Sequence, residues 1–426
     1  MQTMLHPASP GLDPADLSRL VNRRVLSEHA GEAAFLWTQR ERAVDAPQFR
    51  LTHLRRLDER VQAHLAALRV AGEPGWRASL ERADPDDAGA IFTICSLAFD
   101  GTLAERMRHA LALVMASPHG TQALAGALGW LRPTVAHGIV ARLLQSTVPD
   151  HRRLGGAALT ALHAPGAALL QAALGDPDPG VRAPALRAVG ACGAVQFTDA
   201  ARQSVADADP ACAFWAAWSL AVFGDEPASV RSFDHGLRAP EDSPLQRLAV
   251  EVALRRARPE WARQSIRDLT AAAGTRRLAI IAAAAHGDPV VVPWLIAQCG
   301  DPALARIAGE AISMITGADL VYLDLQQDED ETAEAATPVP TSDEALPRPD
   351  PSRLEAWWRE SQPAFERGRR HLGGEPVSTA SAARVLRSGF QRQRAAAALE
   401  LCVLAGPAGL FPTGARADRQ GRWLAA

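Results

Sequence analysis

The sequence predicts an all-α solenoid, and three observations lead to that fold class. Apolar residues recur at spacings of three and four, as expected for helices that bury one face. The pattern of residues 175–193 (GDPDPGVRAPALRAVGACG) returns along the chain at intervals of about thirty residues. Clusters of Pro, Gly and Asp, which no helix continues through, separate the copies. A helical unit repeated in this way buries its apolar face only against its neighbours, as in a solenoid.

The copies share one register. They begin at Ile91, Thr121, Leu154, Val181, Cys212, Leu245, Thr275 and Leu304. The fifth residue of every block is small, which lets neighbouring helices approach closely: Cys95, Ala125, Ala158, Ala185, Ala216, Ala249, Ala279 and Ala308. Asp-Pro turns precede several blocks, at Asp84, Asp176, Asp209 and Asp301. No stretch of the chain predicts a β-strand.

Two of these stretches resemble a known repeat. DPDPGVRAPALRAVG and GDPALARIAGEAISMITG are similar to the short HEAT-like repeat, which also occurs in phycobilin lyases and in many bacterial adaptor proteins. The similarity covers about residues 84–320. The similarity implies a solenoid architecture and gives almost no information about function.

The N-terminal part precedes the repeats. Residues 1–13 are predicted to be a disordered leader, and residues 14–83 a helical hairpin that caps the open end of the solenoid. Asp13 and Pro14 are suited to the N-cap and the first turn of the first helix. An apolar stripe marks the second helix: Leu54, Leu57, Val61, Leu65 and Leu68.

This hairpin carries a narrower resemblance. SEHAGEAAFLWTQRERAVDAPQF (27–49) and LDERVQAHLAALRVAGEPGW (57–76) resemble the opening of an uncharacterised bacterial HEAT-repeat family that is often encoded among type VI secretion genes. GRRHLGG (368–374) and RQRAAAALEL (392–401) resemble its closing part. The family has no established active residues, so the resemblance implies no site. It implies a cytoplasmic helper in effector delivery.

The composition changes after the repeat solenoid of residues 84–325. Residues 326–352 (QQDEDETAEAATPVPTSDEALPRPDPS) are acidic and rich in Ala, Thr and Pro, and they predict a disordered linker. Residues 353–426 predict a basic helical module. Within it, residues 391–403 match the repeat pattern and are interpreted as a detached last repeat.

The C-terminal module supplies the predicted partner-binding residues. Aromatic residues flanked by arginine are typical of interface hot spots. For the two tryptophans, packing in the core is the alternative and favoured interpretation. The acidic linker is long enough to fold back over the arginines, either as a competitor of a bound partner or as a passive spacer. The candidates are Trp357, Trp358, Arg367, Arg369, Arg370, Arg392 and Arg394.

Arginines also recur early in the repeat helices, and they permit two interpretations. One is a basic stripe that binds phosphate or an acidic peptide. The other, which we favour, is a ladder in which each guanidinium binds a turn aspartate of its own or the next repeat. Asp176, Asp209 and Asp301 would supply the carboxylates. The arginines are Arg182, Arg187, Arg276, Arg277 and Arg306.

The composition excludes several classes of protein. All 45 basic residues are arginine, so a Walker A loop, a kinase strand lysine and a Schiff-base lysine are excluded. The twelve histidines form no HExxH motif or metal-spaced cluster, and GxSxG is absent. The sequence therefore predicts no catalytic residue, no cofactor and no metal. The five cysteines include no CxxC pair, and the N-terminus lacks the features of a signal peptide, which together favour a cytoplasmic protein.

The function we expect is a non-catalytic protein-binding scaffold. The family resemblance implies a type VI secretion effector or spike component as its partner. One alternative is a lyase-type enzyme or ligand-binding protein that uses the concave groove, for which a deep polar pocket would be the sign. A second is a nucleic-acid-binding solenoid. The net charge of −3 argues against nucleic acid, and no apolar run is long enough for membrane insertion.

Overall fold

The computed structural model describes residues 22–101, 103–240, 243–271, 273–327, 340–406 and 409–425. In these parts 22 α-helices dominate, which confirms the predicted all-α class. The chain divides into two compact units: Met1–Arg40 with Arg56–Val135, and Glu41–Arg55 with Ala136–Ala426. We call them the N-terminal and C-terminal units. Within the described residues, no helix is both long and apolar enough to cross a membrane.

The N-terminal unit is built around stacked aromatic rings. The Trp37 ring lies parallel to Phe92 with the centroids 4.5 Å apart, and Trp130 meets Phe92 edge-on at 5.4 Å. Both helices of the predicted hairpin are present, whereas the predicted leader lies outside the described residues. The helices that contribute to this unit are α1 (Arg23–Val44), α2 (Leu51–Ala71), α3 (Glu73–Leu80), α4 (Ala88–Ala98), α5 (Ala104–Ala116) and α6 (Gly120–Trp130).

The C-terminal unit contains two rows of helices after α7 (Pro133–Leu144). The inner row stacks helix on helix, and each outer helix packs against its neighbours in the inner row. The inner row is α8 (Pro149–Ala157), α10 (Pro179–Ala191), α12 (Pro210–Phe223), α14 (Pro244–Arg256), α16 (Arg276–His286) and α18 (Ala305–Thr316). The outer row is α9 (Ala167–Leu174), α11 (Thr198–Ser204), α13 (Glu226–Arg238), α15 (Pro259–Ala271) and α17 (Val292–Gln298). Short 3₁₀ turns lie at Leu159–Leu162, Val195–Phe197, Ala273–Thr275, Pro289–Val291 and Gln362–Ala364.

Asp-Pro turns and small residues explain this stacking. The Asp178 carboxylate accepts a hydrogen bond from the Gly180 amide at 2.8 Å and caps α10, which begins at a proline. Ala185 and Ala216, at the fifth position of their blocks, are completely buried. The predicted register is therefore confirmed in the C-terminal unit.

The last helices depart from the prediction. They are α19 (Pro351–Ser361), α20 (Thr379–Ser388), α21 (Gln391–Ala405) and α22 (Ala417–Ala425), with an unpredicted two-residue hairpin of β1 (His371–Leu372) and β2 (Glu375–Pro376). Helix α21, the predicted detached last repeat, packs against α12 and α14 of the inner row. Leu399 on α21 joins the Phe214 and Trp218 cluster, and Glu400 pairs with buried Arg255 at 3.3 Å. These contacts hold α21 against the middle of the inner row. The prediction that residues 391–403 form a detached last repeat was therefore wrong.

The predicted disordered linker is also wrong for residues 340–352. Asp343 and Leu346 are 1% and 3% exposed, so this stretch is packed against the fold. An antiparallel bridge between Gln326 and Pro349 closes its base. The stretch is ordered because Leu346 and the Asp343 carboxylate are buried, although its acidic, proline-rich composition is typical of a disordered linker. Residues 328–339 lie outside the described residues.

Candidate functional site

The candidate site is a groove on the inner row of the C-terminal unit. Residues 340–349, which we call the groove segment, lie in it. A cavity of about 410 Å³, lined by Ser342 and several arginines, lies on one side, and we call it the polar cavity. A cavity of about 430 Å³, lined by Leu346 and Pro347, lies on the other, and we call it the apolar cavity.

The groove segment is bound through one carboxylate, one apolar side chain and its backbone. Arg277 on α16 donates two hydrogen bonds to the Asp343 carboxylate, at 2.5 and 3.0 Å. Arg306 on α18 donates to the Leu346 carbonyl, and Arg392 on α21 donates to the Ser342 carbonyl. The segment itself forms two consecutive turns, in which the Asp343 amide donates to the Pro340 carbonyl and the Leu346 amide to the Asp343 carbonyl. The groove can therefore hold an acidic segment folded in turns, with an apolar anchor three residues after the carboxylate.

Charge pairs line the walls of the groove. Arg392 binds both oxygens of Glu310 at 2.9 Å, and Arg247 binds Glu251 at 2.9 Å. Burial alone would lower the pKa of Arg247, but Glu310 and Glu251 together raise it above its ordinary value. Burial alone would raise the pKa of Glu251, but the nearby arginines, chiefly Arg247, lower it below its ordinary value. Each of these arginines is paired with a glutamate. The pairs fix the side chains of the groove wall and bring the net charge of the wall close to zero.

The predicted Asp–Arg ladder exists at Arg182, although its partner is Asp207 and not one of the aspartates that the prediction named. Its guanidinium donates to both oxygens of Asp207 in the turn before α12, at 3.0 and 3.2 Å. Arg152 binds Asp176 in the same manner at 2.7 Å. Arg277 and Arg306 were assigned to this ladder but bind the groove segment. Arg187 was also assigned to it, but its guanidinium lies over the Trp215 ring. The favoured interpretation therefore holds for Arg182 and fails for these three arginines.

Two predicted partner-binding residues are buried. Arg394 has no exposed surface and donates to the Leu386 carbonyl and to the side chains of Gln391 and Gln420. Burial lowers its pKa to about 10. Trp358 is 8% exposed and packs in the core beside Trp357. Burial therefore leaves Arg394 no surface for a partner, and Trp358 packs in the core, as the favoured interpretation of the tryptophans expects.

The other candidates lie in different places. Arg370 is half-buried and binds Glu400 and the His286 carbonyl, so it joins the hairpin to the inner row. Arg367 and Arg369 are exposed, and Arg369 pairs with Glu366 at 3.0 Å. A role for those two in binding remains a prediction. Of the seven candidates, Arg392 is the one that lines the groove cavities.

The groove residues share positions in the repeat, and the sequence analysis did not single out Arg247, Glu251 or Glu310. Arg247, Arg277 and Arg306 are the third residues of their blocks, and Glu251 and Glu310 are the seventh. Positions three and seven are one helical turn apart and lie on the same face. Charged residues at these two positions in successive blocks were the signal that could have located the groove.

The groove shows no arrangement typical of catalysis. The hydroxyls of Ser243, Ser313 and Ser342 bond to backbone or to Gln393, Arg277 and Asp343, and among the described residues none bonds to a histidine. In the same parts of the chain, no group of three or more His, Cys, Asp or Glu side chains could hold a metal ion. The geometry supports binding of a polar peptide segment.

Comparison with known proteins supports the class that the fold defines. A family model described as HEAT repeats matches residues 166–255, which contain α9 to α13 and all but the last residue of α14. No curated protein and no solved structure matches the chain. The fold and this match define a helical-repeat scaffold, a class whose repeats commonly mediate protein interactions.

Proposed function

We propose that this chain is a non-catalytic scaffold whose groove binds an acidic segment of a client protein. The observation that carries the proposal is the groove segment itself. Arg277, Arg306 and Arg392 bind this polypeptide segment through one carboxylate and two backbone carbonyls. A client segment would make the same contacts in place of residues 340–349.

The contacts explain why such binding would select an acidic segment. The Arg277 fork matches a carboxylate with two parallel hydrogen bonds, a geometry that a neutral side chain does not reproduce. Contacts from Arg306 and Arg392 reach carbonyl oxygens, which every client residue possesses. The position of Leu346 selects an apolar residue. A minimal client motif is therefore an acidic residue followed three residues later by leucine or a similar side chain.

The proposal is tested with the groove segment supplied as a separate peptide. In a groove-open variant, residues 341–347 of the full chain are replaced by a Gly/Ser stretch of equal length. A fluorescent peptide with the sequence of residues 341–350, TSDEALPRPD, is then titrated into it. We expect saturable one-to-one binding, and weaker binding to the intact chain, where the tethered segment competes at high effective concentration.

Circular dichroism and a melting curve check that the groove-open variant is folded. A milder variant, Asp343→Gly with Leu346→Gly, loosens the segment while keeping the rest of the chain. If a folded variant of either kind shows no peptide binding, or if the intact chain binds the peptide equally well, the proposal is wrong.

The client that we propose is a type VI secretion effector or spike component, held in the cytoplasm before export. Support comes from the resemblance of residues 27–49, 57–76, 368–374 and 392–401 to the secretion-associated HEAT-repeat family. Photo-crosslinking from Ala395, an exposed residue that lines the polar cavity, would capture the client in the native host. Val230 on the outer row is the matched control position. A groove-specific partner unrelated to type VI secretion would refute this assignment.

A further inference from the structure

The polar cavity contains one arginine without an acidic partner. Four arginines line the cavity, and three of them are paired: Arg247 with Glu251, Arg277 with Asp343 and Arg392 with Glu310. The fourth, Arg187 on α10, forms no ion pair or hydrogen bond with any residue that the structure describes. Asp45, which also lines the cavity, acts on it through its charge and forms no ion pair or hydrogen bond with it.

Arg187 is nevertheless held in place. Its guanidinium lies over the Trp215 ring of α12, 4.9 Å from the ring centroid. An arginine stacked on an aromatic face keeps its in-plane N–H groups free for an anion. Arg187 is an exposed residue, so an anion can reach it from solvent. Desolvation by the surrounding atoms lowers the pKa of its guanidinium, and the Asp45 carboxylate offsets only part of this effect. An incoming anion would therefore stabilise a positive charge that the fold leaves undercompensated.

The direction of the groove segment leads to this arginine. The segment runs from the apolar cavity, which Leu346 and Pro347 line, to the polar cavity, which Ser342 lines. Arg187 lines the polar cavity too. A client chain that continues beyond the position of Ser342 toward its N-terminus therefore enters the cavity in which the Arg187–Trp215 pair lies. Between residues 340 and 342 the groove segment has no acidic residue.

We propose that Arg187, stacked on Trp215, is a second carboxylate site of the groove and binds an acidic side chain of the client upstream of the one held by Arg277. This inference rests on the proposed function and extends its motif. The client segment would then carry two acidic positions in front of its apolar anchor. Arg187 would make the groove bind a client more tightly than the chain's own groove segment, since the described part of that segment has no acidic side chain for this site.

The test compares two extended peptides on the groove-open variant. One carries three glutamates and a glycine before TSDEALPRPD, which places the glutamates four to six residues before the aspartate. The other carries three glutamines and the same glycine. We expect the glutamate peptide to bind about tenfold more tightly, the effect of one added charged hydrogen bond. Raising the salt concentration should reduce the difference.

Arg187→Gln in the groove-open variant should abolish the advantage of the glutamate peptide and leave TSDEALPRPD binding unchanged. Arg276→Gln, at an exposed arginine on α16, is the matched control and should keep the advantage. Equal affinities for the two extended peptides, or an advantage that survives Arg187→Gln, would overturn this inference. Failure of TSDEALPRPD itself to bind would instead overturn the proposed function, so the two failures are distinguishable.

Discussion

Arg277 and Asp343 form an ion pair in which the carboxylate is 1% exposed and accepts two hydrogen bonds, at 2.5 and 3.0 Å. A buried carboxylate is stable only when a cation and hydrogen bonds compensate its lost hydration. The pair therefore decides whether the groove segment stays in the groove.

The first prediction concerns the hold of this pair on the segment. Arg277→Gln leaves Asp343 without its cation, and an unpaired buried charge costs about 3–5 kcal/mol. The segment should avoid this cost by leaving the groove. The amides of Asp343 and Leu346, which bond to the carbonyls of Pro340 and Asp343, should then lose protection in hydrogen-exchange mass spectrometry.

Arg276→Gln, next to Arg277 but exposed, is the control and should leave this protection unchanged. Native-like exchange of residues 340–350 in Arg277→Gln would show that Leu346 and the backbone contacts of Arg306 and Arg392 hold the segment without the ion pair.

The second prediction concerns the approach of α10 to α12. The Gly190 amide donates to the Ser219 hydroxyl at 3.1 Å, and a Cβ at residue 190 would lie 2.7 Å from the Ser219 Cα. Gly190→Ala should therefore destabilise the protein by about 1–3 kcal/mol in chemical denaturation. Gly138→Ala, where a Cβ meets nothing within 4 Å, should stabilise α7 by about 0.5–1 kcal/mol. Equal stabilities of the two variants would mean that α10 and α12 are not in close contact.

The third prediction concerns acid sensitivity. His286 on α16 is 3% exposed, and its burial, with Arg370 nearby, lowers its pKa from 6.5 to about 4. Between these values the unfolded chain binds a proton that the folded protein does not. Stability should therefore fall as the pH drops from 6.5 toward 4, by about 2 kcal/mol between pH 7 and pH 5 from this residue.

Urea denaturation at pH 7 and pH 5 measures this difference. His286→Asn should lose about 2 kcal/mol less than the wild type over that interval. His119→Asn, at an exposed histidine, should follow the wild-type dependence. A wild-type dependence in His286→Asn would assign the acid sensitivity to other groups.

The repeat architecture could be predicted because its determinants are local. Ala185 and Ala216 occupy one position of a repeated pattern, and each repeat packs on the next in sequence. The place of α21 could not be predicted in this way. It depends on contacts such as Glu400 with Arg255, which join residues far apart in the chain, and a repeat pattern contains no information about them.

The groove was predicted only in part. Arg392 was identified from its basic surroundings, and Arg187 and Arg277 from their recurrence in the repeats. The packing of Asp343 and Leu346 could not be predicted from the average composition of residues 326–352. One buried carboxylate and one buried apolar side chain are enough to hold a segment whose other residues are typical of a disordered linker. Arg187 differs from the other arginines of the polar cavity because it has no acidic partner among the described residues. This difference depends on side-chain geometry, which the spacing of residues along the sequence does not specify.

The central claim is that the groove recognises an acidic client segment through Arg277. A double-mutant cycle tests it most directly, with Arg277→Gln in the groove-open variant and asparagine in place of the aspartate in TSDEALPRPD. Each single change should weaken peptide binding about tenfold, and the combination should be no weaker than either alone, because both remove the same contact. Losses that add, or an Arg277→Gln variant that binds the original peptide as well as its parent, would contradict the account.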